Sequence, residues 1–153
     1  MKIDYKSLFV AIVIPVLFGF LIGTIVDTSS YQEFVKPSFA PPGWVFPVVW
    51  TILYTLMGIS SYIVYQTDSE CQGSALSIYI IQLAVNYLWS AIFFTFNAYL
   101  FAFIWILLLI FLVVLMIKKF YCVSPISAYL QIPYLLWLMF AAILNFSVYF
   151  LNR

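Results

Sequence analysis

The sequence predicts an all-α polytopic membrane protein, a bundle of five transmembrane helices with one long first loop. Three observations carry this. Of 153 residues, 67% are hydrophobic and 7% charged. A soluble domain carries about 25% charged residues, so this chain cannot cover a water-facing surface. Five apolar runs appear at about 7–26, 44–65, 75–96, 99–117 and 126–151, each close to the ~20 residues that carry a helix across the bilayer. The connections are too short for further domains, so 1–153 reads as one five-span unit. Barrel strands would instead be about 10 residues long with alternating polarity.

The first run follows Lys2 and Lys6. It exceeds a signal-peptide core and lacks an Ala-x-Ala site, so it reads as a retained helix. Its small residues Ala11, Pro15, Gly19 and Gly23 include a GxxxG pair, which serves either internal packing or dimerisation. The first loop spans Asp27 to Gly43. In it, Ser30-Tyr-Gln-Glu33 matches a capping box and Pro37 stops any helix begun there. One or two helical turns are therefore expected over one mouth of the bundle, before the rigid Pro41-Pro42 entry into the second run.

In run two, Trp50, Tyr54 and Met57 share a face, with Phe46 and Pro47 a turn earlier. Run three sets Gln82, Asn86, Ser90 and Phe93 on one stripe, with Trp89 beside it. Only Asn97 and Ala98 separate runs three and four, which must form a tight antiparallel hairpin. Lys118 to Ser124 form the fourth connection. Run five carries Pro133, Trp137, Ala141, Asn145 and Tyr149 at i, i+4 spacing, expected along one face.

A net charge of +1 gives no electrostatic case for nucleic acid. The absence of histidine removes the commonest metal ligand and the usual general base, so neither a metal site nor conventional catalysis is expected. No Asp, Glu, Lys or Arg lies inside any run, which leaves a carrier without an evident proton or ion relay. Lys2, Lys6, Lys118 and Lys119 fall on one side of the membrane, Lys36 and Arg153 on the other. The positive-inside bias then puts the N-terminus in the cytoplasm, with the first loop and C-terminus outside a cell membrane. Cys71 and Cys122 have no metal or redox spacing and fall on the reducing side, which reads as two free thiols.

Amides are costly against lipid, so Asn86 and Asn145 should face the interior. Two readings stand: they bond helix to helix, or they line a cavity. The tryptophans bear on the choice. Trp44, Trp89 and Trp105 fit the interfacial belt, but Trp50 lies about two turns inside its run and Trp137 near the middle of run five. Indole, phenol and amide groups on converging faces suit a flat, mostly apolar aromatic ligand, and a packed aromatic core is the competing account.

The stretch Lys36-Pro-Ser-Phe-Ala-Pro-Pro-Gly-Trp-Val-Phe-Pro-Val-Val-Trp-Thr-Ile-Leu-Tyr-Thr-Leu-Met-Gly58 resembles the signature of the translocator-protein family, also called tryptophan-rich sensory or peripheral-type benzodiazepine receptor proteins. Span three, with Gln82, Asn86, Trp89, Phe93 and Phe94, is similar to the family's third helix. Pro133-Tyr134 through Trp137, Ala141 and Leu144-Asn145 resembles its fifth. The resemblance covers nearly the whole chain and looks like that of a bacterial-type member. It implies a usually dimeric five-helix bundle with a ligand cavity under the first loop. The ligands implied are protoporphyrin IX, held without a covalent bond, and benzodiazepine or isoquinoline carboxamide molecules.

Carried onto this sequence, the family's site is Trp50, Asn86, Trp137, Ala141 and Asn145, closed by Tyr31. Phe46, Tyr54, Trp89 and Phe93 lie on the same stripes. Family members are also linked to light-dependent porphyrin breakdown in tetrapyrrole or stress regulation, for which Trp50 and Trp137 are the candidates here. The alternative is transport of porphyrin, sterol or other small hydrophobic molecules. Leu144, Tyr149 and Arg153 satisfy a loose sterol pattern, L-x₄-Y-x₃-R.

Overall fold

The computed structural model describes residues 3–153; Lys2 lies outside them. Those residues are all-helical, with no strand among them. The helices are α1 (Tyr5–Ile25), α2 (Val45–Gln66), α3 (Gln72–Ser90), α4 (Tyr99–Val123), α5 (Pro125–Tyr129) and α6 (Ile132–Leu151). Five segments are long and apolar enough to span a membrane: Tyr5–Ile25, Val45–Gln66, Gln72–Thr95, Tyr99–Val123 and Pro125–Leu151.

In lipid, helices gain little from apolar contact, so close backbone approach and interhelical hydrogen bonds select their partners. The α1–α2 pair shows both. A Cβ on Gly58 would run into the backbone of Ala11 and Ile12, and one on Gly19 would collide with the Tyr54 ring. Pro15 has no N–H for the Ala11 carbonyl, and it is against this stretch that Gly58 packs. A methyl group on Gly23 would meet nothing within 4 Å, so the two glycines of the GxxxG pair do different work. The Tyr62 hydroxyl accepts from the Asp4 amide at 2.8 Å, tying the start of α1 to the end of α2. Asp4 also caps α1: its carboxylate accepts from the amides of Lys6 and Ser7, and its bond with the Ser7 hydroxyl helps hold the carboxyl below its ordinary range.

The α3–α4 hairpin turns through Asn97, which has φ 51°, a left-handed conformation that asparagine tolerates better than most residues. Just before it, α3 ends in a π-helical turn, Ala91–Thr95. Within it, Phe93 faces the interior, 4% exposed. The Trp105 indole donates to the Val85 carbonyl at 2.8 Å, a second link from α4 to α3.

Several sequence expectations change here. Cys71 and Cys122 are not free thiols: they form a disulfide with Cα atoms 6.2 Å apart. Folding closes a hairpin whose two ends carry the cysteines, and linear spacing did not reveal that. The fourth helix continues past Ile117 through Lys118 and Lys119 to Val123; lysine is a good helix former, and both side chains are exposed. The capping box does not form: Ser29–Gln32 is a single 3₁₀ turn without a side-chain cap, and the Asp27 carboxylate instead accepts from the Ser29 amide at 2.9 Å. The i, i+4 stripe of α6 does not hold one face either. At 3.6 residues per turn it drifts, leaving Pro133 exposed while Tyr134, Leu138, Ala141, Asn145 and Val148 are buried.

Candidate functional site

Beneath the first loop, α2, α3, α4 and α6 enclose a cavity of about 20 Å³. Phe46 and Trp50 come from α2, Asn86 and Trp89 from α3, Ile106 and Leu109 from α4, and Trp137, Leu138 and Ala141 from α6. Aromatic rings keep α2 and α6 apart: Phe46 meets Trp137 edge-on at 6.0 Å and Trp50 meets Tyr134 at 6.2 Å. Such edge-to-face pairs have favourable quadrupole geometry. Trp50 also stacks on Tyr54 at 5.3 Å.

Three buried amides, Gln82, Asn86 and Asn145, bond helix to helix, and Asn86 also faces the cavity. The Asn86 amide nitrogen donates to the Tyr54 hydroxyl at 3.3 Å. Asn145 accepts from the Trp89 indole at 3.2 Å and donates to the Tyr99 carbonyl at 2.8 Å, so it braces the Trp89 wall without lining the cavity itself. Deeper in, the Tyr134 hydroxyl donates to Gln82 at 2.9 Å. Among the described residues, the Trp89 and Trp105 indoles have protein acceptors. No protein acceptor is found there for the indole nitrogens of Trp50 and Trp137, which remain available as donors.

Of the residues singled out from sequence, Phe46, Trp50, Asn86, Trp89, Trp137 and Ala141 converge on this cavity. Tyr54 stands behind Trp50, against Gly19. Phe93 lies in an adjoining aromatic cluster with Phe34 and Tyr99, at 5.7 and 5.2 Å. Tyr31 is buried in the loop above: its hydroxyl donates to the Pro41 carbonyl at 2.5 Å and its ring meets Phe46 at 5.2 Å. Burial pushes the Tyr31 phenol above its ordinary range, so it remains a protonated donor at neutral pH. The Lys36 ammonium lies 4.8 Å from the centre of the Tyr31 ring, within cation–π reach.

Ile106, Leu109 and Leu138 line the cavity without having been singled out. Run four is apolar on every side, so its sequence pattern marks no inward face. The residues of the sterol pattern part company. Leu144 is buried, whereas Tyr149 and Arg153 line an open groove of about 540 Å³ beside the α3–α4 turn.

The fold defines a polytopic membrane protein of five spans with a small aromatic-lined cavity. Comparison with known proteins narrows the class. The family model for the TspO/MBR family matches residues 11–151, and the chain belongs to that family. It is 36% identical over 147 residues to the tryptophan-rich protein TspO of Archaeoglobus fulgidus, covering 94% of this chain and 95% of the relative. It is 40% identical over 124 residues to the tryptophan-rich protein TspO of Chlorobaculum tepidum, covering 80% and 78%. To the human translocator protein it is 38% identical over 122 residues, covering 78% and 72%.

Proposed function

We propose that this chain binds a flat, largely apolar aromatic ligand of the porphyrin class, protoporphyrin IX, in the cavity beneath the first loop. Benzodiazepine- and isoquinoline-type molecules would compete for the same space. The observation that carries the reading is the convergence there of Trp50, Trp89, Trp137 and Phe46 with the Asn86 amide. Stacking surfaces and a few placed polar groups are what such a ligand requires.

The closed cavity, at about 20 Å³, is far below the ~300–1,000 Å³ of a drug-sized site. Binding therefore includes movement of the lining rings and the loop. Light absorption by the bound porphyrin extends the reading. An excited porphyrin accepts an electron from a nearby indole, and Trp50 or Trp137 is the donor.

The test titrates purified protein with protoporphyrin IX while following tryptophan emission, then illuminates the complex and follows its absorbance. Saturable quenching that weakens in Trp137→Phe is expected, with slower bleaching in Trp50→Phe or Trp137→Phe than in wild type. Unsaturable quenching would refute the site. Bleaching no faster than in detergent alone would leave binding without photochemistry.

A further inference from the structure

Besides the ring contacts of Tyr31 with Phe46 and of Phe39 with Phe140, the first loop is fastened at Phe34 and Val35. Phe34 inserts its ring between Phe93, Tyr99 and Tyr31, with centroids 5.7, 5.6 and 5.6 Å away. One residue on, Val35 forms a reciprocal pair with the end of α6. Its amide donates to Asn152 Oδ1 at 2.9 Å, and Asn152 Nδ2 donates back to the Val35 carbonyl at 2.9 Å. The same Nδ2 reaches the Val148 carbonyl at 2.8 Å, and the Asn152 amide bonds back to Val148 at 3.1 Å. The Asn152 side chain is thus held on the last turn of α6 while it binds the loop backbone across 117 residues of sequence.

The loop thus fastened leads directly to the cavity, since Tyr31 rests on Phe46 and Phe46 on the cavity wall Trp137. Among the described residues, Asn152 is the one side chain that bonds the Val35 backbone, and Val35 itself is exposed. Releasing Val35 from α6 breaks two hydrogen bonds and, Val35 being already exposed, uncovers little new apolar surface, while the Phe34 ring can stay in its aromatic socket. Separating α3 from α4 is harder, because the hairpin turn closes one end and the Cys71–Cys122 disulfide the other.

We infer that Asn152 is the latch residue of the first loop, and that release of its pair with Val35 limits ligand entry and escape. The inference rests on the ligand-binding reading above, which it deepens by assigning the route and the residue that governs it. The latch forms in both the empty and the occupied protein. Its loss therefore accelerates association and dissociation together, with a smaller effect on their ratio. With two hydrogen bonds removed, the expected acceleration is about tenfold in each direction.

The experiment uses the full chain in detergent or nanodiscs, comparing wild type, Asn152→Ala and Asn152→Asp. Asn152→Asp keeps the acceptor for the Val35 amide and loses the donor, so it should fall between the other two. Stopped-flow quenching by protoporphyrin IX gives the two rates, and hydrogen exchange at the Val35 amide without ligand reports the loop directly. Support is faster exchange in Asn152→Ala together with parallel rises in both rates. Faster exchange with unchanged rates would overturn the gate while leaving the binding site intact. Unchanged exchange would overturn the latch itself. If wild type does not bind protoporphyrin IX at all, the ligand reading fails and the gate falls with it, an outcome distinguishable from the other two.

Discussion

The Cys71–Cys122 bridge allows the most direct quantitative test of the fold. The cysteines are 51 residues apart and enclose the whole α3–α4 hairpin. On a chain-entropy estimate, a closed loop of this length stabilises the folded state by roughly 4 kcal/mol. That is an upper bound, because residual structure in an unfolded chain lowers the entropy a cross-link can remove. The perturbation is reduction of the purified protein, paralleled by Cys71→Ser and Cys122→Ser. Each should lower thermal stability by a similar amount, and reductant should have no further effect on either variant. Mass measurement after alkylation without reduction gives the decisive check. Two alkylated thiols would mean that the pair is not bridged, and a melting curve unmoved by reductant would mean that the bridge carries no stability. The bridge and the positive-inside bias also pull the orientation in opposite directions, since Lys6, Lys118 and Lys119 share the bridged end. A pair already oxidised in growing cells places that end on the oxidising side and the first loop in the cytoplasm. A pair reduced in cells, and oxidised only on extraction, gives the reverse.

Three further outcomes follow from individual contacts. Gly58→Ala should destabilise the bundle by about 1–3 kcal/mol through overpacking, as its methyl meets the α1 backbone; Gly23→Ala, with open space around it, should show no such loss in the same melting assay. Asn145→Leu strands the Trp89 indole, at about 1–3 kcal/mol for a buried group left unpaired, removes the link to the Tyr99 carbonyl, and should broaden the tryptophan emission as Trp89 loses its fixed environment. For Tyr31, the phenol is raised by burial, so its contribution to loop closure is fully present below the ordinary tyrosine range near pH ~10 and is lost as pH rises through the folded value. Exchange at the Val35 amide, corrected for intrinsic rate, should accelerate there in wild type and not in Tyr31→Phe.

How much of this was legible before the structure depends on the kind of signal. Span number is set by how many apolar runs match the bilayer thickness, a constraint that acts locally along the chain. The tight Asn97-Ala98 turn was legible for the same reason, because two residues leave one geometry open. Inward placement of Asn86 and Asn145 followed from the cost of an amide against lipid, wherever their partners lay. The disulfide was not legible, because it depends on how far α4 extends, and Lys118 and Lys119 mark the membrane edge without ending the helix. Nor was the contribution of Ile106 and Leu109, since a uniformly apolar helix takes its inward face from its neighbours. The α6 stripe failed through arithmetic: steps of four residues accumulate a drift that turns Pro133 outward while Asn145 remains inside.

The interior bonds also explain why a cavity persists in so apolar a protein. Three buried amides join different helices: Asn86 of α3 to Tyr54 of α2, Gln82 of α3 to Tyr134 of α6, and Asn145 of α6 to α3 and α4. Without water to compete, these bonds and the Gly58 contact fix which helices meet and at what register. They lie around the cavity and below it. Across the cavity, α2 meets α6 through Phe46, Trp50, Trp137 and Tyr134, whose rings touch edge-on. Ring contacts of this kind can be exchanged for contacts with another flat aromatic body at little cost, whereas the amide bonds cannot. The part of the bundle free to rearrange is therefore the part lined by the aromatic rings of Phe46, Trp50 and Trp137, and the polar frame around it holds its shape while it does so.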